Sequence, residues 1–407
     1  MLGLALQGGG AKGAFQVGAI KALNEEGYIF DGVVGTSIGA LNAALVAQGD
    51  FEKTYELWYN IEVSQLYDFD DKMFENLMNL NIDSHTIKYL LRKIKDVITD
   101  KGINRVKARK LMSSYLNEEK LRASKMDLGL VIVENKKIPQ MLFKEDIPKG
   151  QLVDYIIASG NLPIFNDLNV GDKKIYDGGL YDNLPINMLI NKGYKDIIAI
   201  RLGDTVSPIQ KVTDKTVRIT YIDPSEKPGS LLNFTNKSVR RALILGYFDT
   251  LKVIKGYVGK KYYIHPVNEN EFYRVIENLS YSFFNECASI LDISIPKNKT
   301  VASQLIIDEI RDLMKLNRNC SDIYCLTCYV EAFAEFSKVV RFKVYSLSEL
   351  LNRTITEFIK IKTNKKISKR LEKLVNIFNA FIKARKEIDM DDVYMQALLG
   401  KLENKDD

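Results

Sequence analysis

The chain has 407 residues, 46% of them hydrophobic and 27% charged, and a formal net charge of +6. This composition is typical of a globular protein with one large domain and an appendage, or with two domains. The net charge is too small to indicate a nucleic-acid partner, and no apolar run is long enough to predict a membrane-spanning helix.

The start of the chain and its cysteines predict the compartment. Met1 leads directly into the apolar segment 2–6, which is too short for the hydrophobic region of a signal peptide and indicates a first strand. The four cysteines, three of them within residues 320–328, do not form the pattern of a disulfide framework in a chain of this size. We therefore expect a cytoplasmic protein.

A glycine-rich loop follows the first predicted strand. Residues 2–7 run into Gly8-Gly9-Gly10-Ala11-Lys12-Gly13, after which a helical pattern continues to Leu23. Closely spaced glycines let several backbone N–H groups approach one anion, and the helix N-terminus adds positive potential. Gly-x-Gly-x-x-Gly also occurs in dinucleotide sites, with a ribose-binding acid about 20 residues further on, and Asp31 has that spacing. Because Asp31 precedes the next strand rather than ending it, the pattern favours an oxyanion-binding loop.

A serine lies at the end of the second predicted strand. The apolar residues 32–34 are followed by Gly35-Thr36-Ser37-Ile38-Gly39 and then by the helix-forming residues 40–47. A strand that turns directly into a helix places this serine in a strained, exposed turn over the positive end of the helix. The glycines at 35 and 39 let the two backbones approach closely. The pattern predicts a nucleophile elbow, although G-x-S-x-G alone also occurs by chance in strand-to-helix loops.

A basic helical stretch separates this elbow from the next strands. Apolar residues recur at helical spacing from Phe51 to about Ser124, and lysines and arginines are concentrated between Lys88 and Lys110. We predict a helical insertion over residues 51–124. It is either a packed layer with a solvated basic face or a cap that borders the active site and faces lipid head groups.

A carboxylate in a predicted tight turn is the third informative feature. Strands are predicted over 128–133 and 139–143, and a helix ends near Ser159. The short strand 174–177 then ends in Asp177-Gly178-Gly179, a sequence that can present a carboxylate without side chains crowding it. Taken alone, Asp-Gly-Gly is a common turn.

Together these stretches resemble the patatin-like phospholipase family in content, order and approximate spacing, over about residues 1–205. The stretches are Gly8–Gly13, Gly35–Gly39, Ala158-Ser159 with Pro163-Ile164-Phe165, and Asp177-Gly178-Gly179 with Asn183-Leu184-Pro185. The resemblance implies a three-layer α/β/α fold with a mainly parallel central sheet. Gly160 departs from the family, which frequently has a second serine there.

The resemblance also implies the roles of individual residues. Ser37 is then the nucleophile and Asp177 its dyad partner, and Gly35, Gly39, Gly178 and Gly179 shape the two turns. The backbone N–H groups assigned to the oxyanion hole are those of Gly8, Gly9, Gly10, Ala11, Lys12 and Gly13, with Lys12 at the basic position of the loop.

Ester hydrolysis needs a nucleophile, a group that takes its proton, and donors for the oxyanion. Ser37, Asp177 and the glycine loop supply these three in the dyad interpretation. The order Ser37, Asp177, His265 also fits a Ser-Asp-His triad. His265 ends a strand-like run before Pro266, and only one strand and one helix precede the elbow, so the pattern favours the dyad.

The rest of the chain predicts the domain organisation. Strands are expected at 196–202 and 217–222, a long helix at 237–258, and a strand at 262–265 that closes the α/β domain. From residue 270 the pattern is almost entirely helical. We therefore predict a catalytic domain over 1–268 and an all-helical domain over 269–407.

The cysteine spacing superficially copies an iron–sulfur ligand pattern, since Cys320, Cys325 and Cys328 follow Cys287. However, two of the three lie in an apolar helical run, where cysteine serves well as a small buried hydrophobe. We predict no metal site and no cofactor.

The segment 360–386 has the pattern of a basic amphipathic helix. Ten lysines and arginines accompany a single acid, Glu372. The apolar stripe comprises Ile367, Leu371, Leu374, Val375, Phe378, Phe381 and Ile382. Such a helix can hold a protein at the inner surface of an anionic membrane. The alternatives are that the stripe packs on the helical domain, or that the region binds a partner or forms an oligomer.

We predict a phospholipase A-type lipid acyl hydrolase that cleaves carboxylic ester bonds of phospholipids or other acyl lipids. Its partner is the lipid substrate, and no nucleic acid is expected. Two other classes stay open. One is a Ser-Asp-His esterase of soluble esters that uses His265, and the other is a non-catalytic or activator-dependent membrane-binding signalling module.

Overall fold

The computed structural model describes residues 1–66, 106–135, 137–161, 169–170, 172–267, 273, 278–361 and 368–387. The chain separates into two compact units, Met1–Val253 and Ile254–Asp407. Within the described ranges, no helix combines the length and the apolar composition that crossing a bilayer requires.

The first unit is built on a mixed β-sheet. Its strands are β1 (Leu2–Leu6), β2 (Gly32–Thr36), β3 (Asp127–Glu134), β4 (Ile138–Phe143), β5 (Asn169–Val170), β6 (Lys173–Asp177), β7 (Asp196–Ile200) and β8 (Arg218–Ile222). The order along the sheet is β5-β6-β3-β2-β1-β7-β8, and β4 pairs with β3. The central pairs are parallel, whereas β4 and β6 are antiparallel to β3. The carboxyl ends of β1, β2 and β7 therefore meet at one edge of the sheet.

Helices cover both faces of this sheet. They are α1 (Gly13–Glu25), α2 (Ile38–Gln48), α3 (Phe51–Asn60), α4 (Val63–Leu66), α5 (Val106–Tyr115), α6 (Glu118–Ala123), α7 (Leu152–Ala158), α8 (Ile186–Asn191) and α9 (Asn236–Lys255). Strand β2 is buried along its whole length, as expected for a strand with helices on both faces. The predicted α/β/α architecture with a mainly parallel sheet is confirmed.

The predicted insertion over 51–124 is helical where it is described, in α3 to α6. Residues 67–105, which include His85 and Lys88, lie outside the described residues, as do Pro163, Ile164 and Phe165.

The second unit consists mainly of helices. They are α10 (Tyr281–Leu291), α11 (Lys299–Leu313), α12 (Asp322–Phe336), α13 (Leu347–Ile359) and α14 (Lys369–Glu387), with the short strands β9 (Tyr263–Ile264) and β10 (Val344–Tyr345).

The strand predicted at 262–265 does not close the α/β sheet. It forms β9, which pairs in parallel with β10 of the second unit. The carboxylate of Glu331 on α12 accepts the backbone N–H groups of Lys260, Lys261 and Tyr262 at 2.7–3.0 Å, which fixes this segment within the second unit. The compact units accordingly divide after Val253, ahead of the predicted boundary at residue 268.

Most of the described apolar stripe of the segment 360–386 packs inside the second unit, whereas Leu371 is 38% exposed. On α14, Leu374, Ile377 and Phe378 are buried in the helical core, and the ring of Phe378 stacks on Phe333 with 4.2 Å between centroids. Of the alternatives for this segment, packing on the helical domain is the one observed. Ile367 lies outside the described residues.

Two of the four cysteines, Cys287 and Cys325, belong to the same helical core. Cys287, Cys325 and Cys328 are buried, and burial raises the pKa of the thiols of Cys287 and Cys325 to about 12. In the described part of the chain, no three His, Cys, Asp or Glu side chains are grouped so that they could hold a metal ion.

Candidate active site

Ser37 occupies the sharp turn between β2 and α2. Its backbone has φ 57° and ψ −125°, a conformation that is strained for a residue with a side chain. The Ser37 carbonyl accepts the N–H groups of Ala40 and Leu41 at 2.9 and 3.3 Å, so the helix begins directly after the serine. The predicted elbow is present, with Ser37 at the positive end of α2.

The two glycines of the elbow lie where the strand and helix backbones touch. A Cβ atom on Gly35 would overlap the carbonyl of Gly39, and a Cβ on Gly39 would overlap the carbonyl of Leu6 on β1. This elbow can therefore pack against the sheet only with glycine at both positions.

Ser159, just after α7, connects the elbow to the aspartate turn. Its buried hydroxyl accepts the backbone N–H of Ser37 at 3.0 Å and donates to the carbonyl of Val131 at 2.7 Å. Its own carbonyl accepts the N–H of Gly178 at 3.2 Å. In sequence, Ser159 supported only the family resemblance and had no role of its own.

Asp177 ends β6 and is buried, with 2% of its surface exposed. Its N–H donates to the carbonyl of Asn161 at 2.8 Å, and its Oδ1 accepts the N–H of Gly179 at 2.7 Å. The carboxylate is thus held in a defined position by the turn that follows it.

The three stretches singled out in the sequence meet at one cavity of about 440 Å³. Ser37, Asp177, Gly8, Gly9, Gly10 and Lys12 all line it. Its apolar wall is formed by Ile38, Leu41, Met112, Ile156, Ile157, Leu202, Val206, Leu231, Leu232 and Phe234. Both the volume and the apolar wall with a few polar groups are typical of small-molecule sites. Met112 on α5 shows that the predicted insertion borders this cavity.

Four of the six loop N–H groups predicted for the oxyanion hole already donate to acceptors within the protein. The N–H of Gly8 donates to the carbonyl of Asn183 at 3.0 Å, and that of Ala11 donates to the carbonyl of Leu231 at 2.8 Å. The N–H groups of Lys12 and Gly13 are used inside the short 3₁₀ turn at Gly10–Lys12. Among the described residues, no acceptor contacts the N–H groups of Gly9 and Gly10. Of the six groups predicted, these two are the ones available to a ligand.

Two features of position 10 require glycine. Its φ is +56°, and a Cβ atom there would overlap the carbonyl of Leu231, the same carbonyl that accepts the N–H of Ala11. The loop is therefore pressed against the chain around Leu231.

A buried chain of amides supports the loop from below. Trp58 Nε1 donates to Asn42 Oδ1 at 3.0 Å, and Asn42 Nδ2 donates to Gln16 Oε1 at 2.9 Å. Gln16 Nε2 donates to the carbonyl of Gln7 at 2.7 Å, and Gln7 Oε1 accepts the N–H of Leu202 at 2.6 Å. Such a satisfied polar network fixes the end of β1, where the glycine loop begins.

The chain after Asp177 contacts the glycine loop directly. Asn183 Nδ2 donates to the carbonyl of Gly8 at 3.2 Å and reaches Thr205 Oγ1 at 3.4 Å. The neighbouring Asp182 is buried, and its Oδ1 accepts the N–H groups of Leu184 and Gln210, each at 3.2 Å. Burial raises the pKa of the Asp182 carboxyl above its ordinary value.

His265 belongs to the second unit. Its N–H donates to the carbonyl of Tyr345 at 2.9 Å, and its ring meets Tyr257 edge to face with 5.0 Å between centroids. None of the described residues that line the Ser37 cavity is a histidine.

Comparison with known proteins agrees with this geometry. Residues 4–190 match the family model described as patatin-like phospholipase. A patatin-like phospholipase domain-containing protein of Caenorhabditis elegans is 25% identical over 329 residues, which make up 76% of this chain and 21% of that protein. The lysophospholipase nte1 of Aspergillus terreus is 60% identical over 47 residues, 12% of this chain and 3% of that protein. The chain thus spans about a fifth or less of the length of these curated relatives.

Among solved structures, VipD from Legionella pneumophila aligns with 97% of this chain and 92% of its own, with a TM-score of 0.41 and 16% identity. The family model covers the glycine loop, the Ser37 elbow and the Asp177 turn together. The chain therefore contains a region, residues 4–190, that is similar to the patatin-like phospholipase family.

Proposed function

We propose that this protein is a phospholipase A-type lipid acyl hydrolase that uses Ser37 and Asp177 as a catalytic dyad. The observation that carries the proposal is the shared cavity. A serine in a strained elbow, a buried carboxylate and two N–H groups free of protein acceptors in the described residues all face one apolar-walled space.

The chemistry follows from these positions. Ser37 Oγ attacks the acyl carbonyl carbon while its proton passes to Asp177, and the N–H groups of Gly9 and Gly10 stabilise the oxyanion. The alcohol leaves with a proton, and the acyl group stays on Ser37. Water then attacks the acyl-enzyme, which releases the fatty acid and restores the serine.

The lining of the cavity supports a lipid substrate. Its apolar wall suits an acyl chain, and burying a chain against it is favourable by about 0.8 kcal/mol per CH₂ group. Lys12 is the one cation among the described lining residues, and its charge suits the phosphate of a head group. The lysophospholipase relative supports the same substrate class.

The experiment is fatty-acid release from phospholipid vesicles, run in parallel with hydrolysis of a short, soluble activated ester. We would compare wild type with Ser37→Ala, Asp177→Asn and His265→Ala, after circular dichroism has shown that all four proteins are equally folded. We expect the first two variants to lose both activities and His265→Ala to keep them.

Other outcomes would separate the alternatives. Loss of activity in all three variants would replace the dyad by a triad. Ester hydrolysis that depends on Ser37, without release from vesicles, would keep the chemistry and overturn the lipid assignment. Activity that survives in Ser37→Ala would refute the proposed nucleophile.

A further inference from the structure

The Ser37 cavity reaches the surface beside exposed apolar side chains. Two of these side chains, Val206 and Ile209, lie on residues 203–210, which we call the mouth loop. The third is Leu231. Val206 is fully exposed, and Ile209 and Leu231 are 41% and 40% exposed. Since Val206 and Leu231 also line the cavity, the exposed apolar surface is continuous with the cavity wall.

The mouth loop is fixed to the turn that follows Asp177. The N–H of Gln210 donates to Asp182 Oδ1 at 3.2 Å, and Gln210 Nε2 donates to the carbonyl of Tyr181 at 2.9 Å. The carbonyl of Pro208 accepts the N–H of Asn183 at 2.8 Å. Val206 and Ile209 are therefore presented to solvent by a loop that is hydrogen-bonded to the turn at Pro208 and at Gln210.

Leu231 is fixed in the same way to the glycine loop, because its carbonyl accepts the N–H of Ala11 at 2.8 Å. Apolar side chains that are exposed to water give the folded protein no hydrophobic stabilisation. Transfer of such side chains into an apolar phase is favourable, and here little conformational entropy is left to lose. The arrangement suits a partner that covers the mouth of the cavity.

We propose that the mouth loop and Leu231 form the surface with which this protein docks on a lipid bilayer, with Val206, Ile209 and Leu231 inserted at the head-group boundary. The inference rests on the proposed function, because a phospholipid substrate must pass from the bilayer into the cavity. With this orientation, its acyl chain stays on apolar surface from the membrane to Ser37.

The charges indicate which lipid surface is bound. The mouth loop contains one charged residue, Asp204, and no lysine or arginine. Docking therefore depends on apolar insertion rather than on attraction to anionic lipid, and neutral phosphatidylcholine is sufficient. This differs from docking through α14, whose apolar stripe packs largely against the helical core and whose exposed Lys369 and Arg370 would require an anionic surface.

The first experiment measures sedimentation with vesicles of pure phosphatidylcholine, using the full chain with Ser37→Ala so that the lipid is not consumed. We add Val206→Asp and Leu231→Asp separately, and we use Ile29→Asp as the matched control. Ile29 is 83% exposed and precedes β2, so it lies at the opposite edge of the sheet from Ser37. We expect each of the two mouth variants to bind at least about tenfold more weakly, with no change in the control.

A second measurement detects insertion directly. The chain has one tryptophan, the buried Trp58, so Val206→Trp adds a single exposed reporter. On phosphatidylcholine vesicles we expect the emission of this tryptophan to shift to shorter wavelength. We also expect the variant protein to bind more strongly than the protein with Val206, because tryptophan favours the membrane interface.

Equal binding by Val206→Asp, Leu231→Asp and Ile29→Asp would overturn the proposal. Binding that needs phosphatidylglycerol and is lost in Lys369→Glu with Arg370→Glu would overturn it in favour of α14. Sedimentation does not depend on hydrolysis, whereas the Ser37 chemistry of the proposed function is tested by cleavage of the soluble ester, which does not depend on docking. A failure of either hypothesis is therefore distinguishable from a failure of the other.

Discussion

Gly8 and Asn183 are joined by two hydrogen bonds in opposite directions. The N–H of Gly8 donates to the carbonyl of Asn183 at 3.0 Å, and Asn183 Nδ2 donates to the carbonyl of Gly8 at 3.2 Å. The first uses up a donor that the sequence had assigned to the oxyanion hole. Both together set the position of the glycine loop relative to the Asp177 turn.

Replacement of Asn183 tests the role of these two hydrogen bonds. We expect Asn183→Ala to lower kcat about tenfold or more, because the N–H groups of Gly9 and Gly10 lose their alignment with the reacting carbonyl. Asn183→Asp keeps the size of the side chain but cannot donate to the carbonyl of Gly8, so we expect a similar loss. The measurement is kcat and KM on the soluble ester. Full activity in Asn183→Asp would show that the donated bond does not position the loop.

Gly10 offers a test in which strain and close contact can be separated. We expect Gly10→Ala to abolish hydrolysis, since the new Cβ would overlap the carbonyl of Leu231 at a position with φ +56°. Gly27 is the matched control, because it has φ +79° but nothing within 4 Å of an added Cβ. Gly27→Ala should cost about 1 kcal/mol in urea unfolding through backbone strain and leave activity unchanged. Equal activity in the two variants would contradict the proposed role of this contact.

The elbow could be predicted because its determinants are contiguous in sequence. A buried strand, a glycine, a serine and a helix follow one another without interruption, so local patterning specifies the turn at Ser37. The long helix expected at 237–258 is likewise observed, as α9 (Asn236–Lys255). Local patterning does not specify which residues from distant parts of the chain contact these elements.

The donors of the glycine loop illustrate that limit. Their acceptors come from Asn183 and Leu231, and no local pattern tells which loop N–H groups those carbonyls take. The same holds for Tyr263–Ile264, which was correctly predicted as a strand, while its pairing with Val344–Tyr345 depends on tertiary contacts. The helical pattern at 360–386 predicted an apolar stripe but not whether the stripe contacts lipid or protein.

Asp182 gives a prediction on pH. Burial raises its pKa in the folded protein above the unfolded value of about 4, so the folded state favours the neutral acid. The stability this contributes is fully present below the unfolded pKa and is lost as pH rises through the folded pKa. We expect the free energy of unfolding of wild type, relative to Asp182→Asn, to fall with rising pH in that window, by at most about 1.4 kcal/mol per pH unit. Urea titrations at a series of pH values measure this difference, and a difference that rises with pH would contradict a raised pKa.

Ser159 provides the last prediction. Ser159→Ala removes the acceptor for the partly buried Ser37 N–H and the donor to the buried Val131 carbonyl, and both groups then lose this partner. We expect a loss of about 1–3 kcal/mol in urea unfolding and a fall in kcat of about tenfold, because the elbow is less firmly held. KM should change little, since Ser159 is not among the described residues that line the cavity.

The matched control for this variant is Ser303→Ala. Ser303 is also buried and its hydroxyl donates to the carbonyl of Thr300 at 2.8 Å, but it lies in the second unit. Both variants should lose stability, and only Ser159→Ala should lose kcat. If kcat fell equally in both, general destabilisation would explain the effect and the link from Ser159 to the elbow would have no catalytic role. If kcat falls in Ser159→Ala alone, this buried hydroxyl positions the nucleophile without touching the substrate.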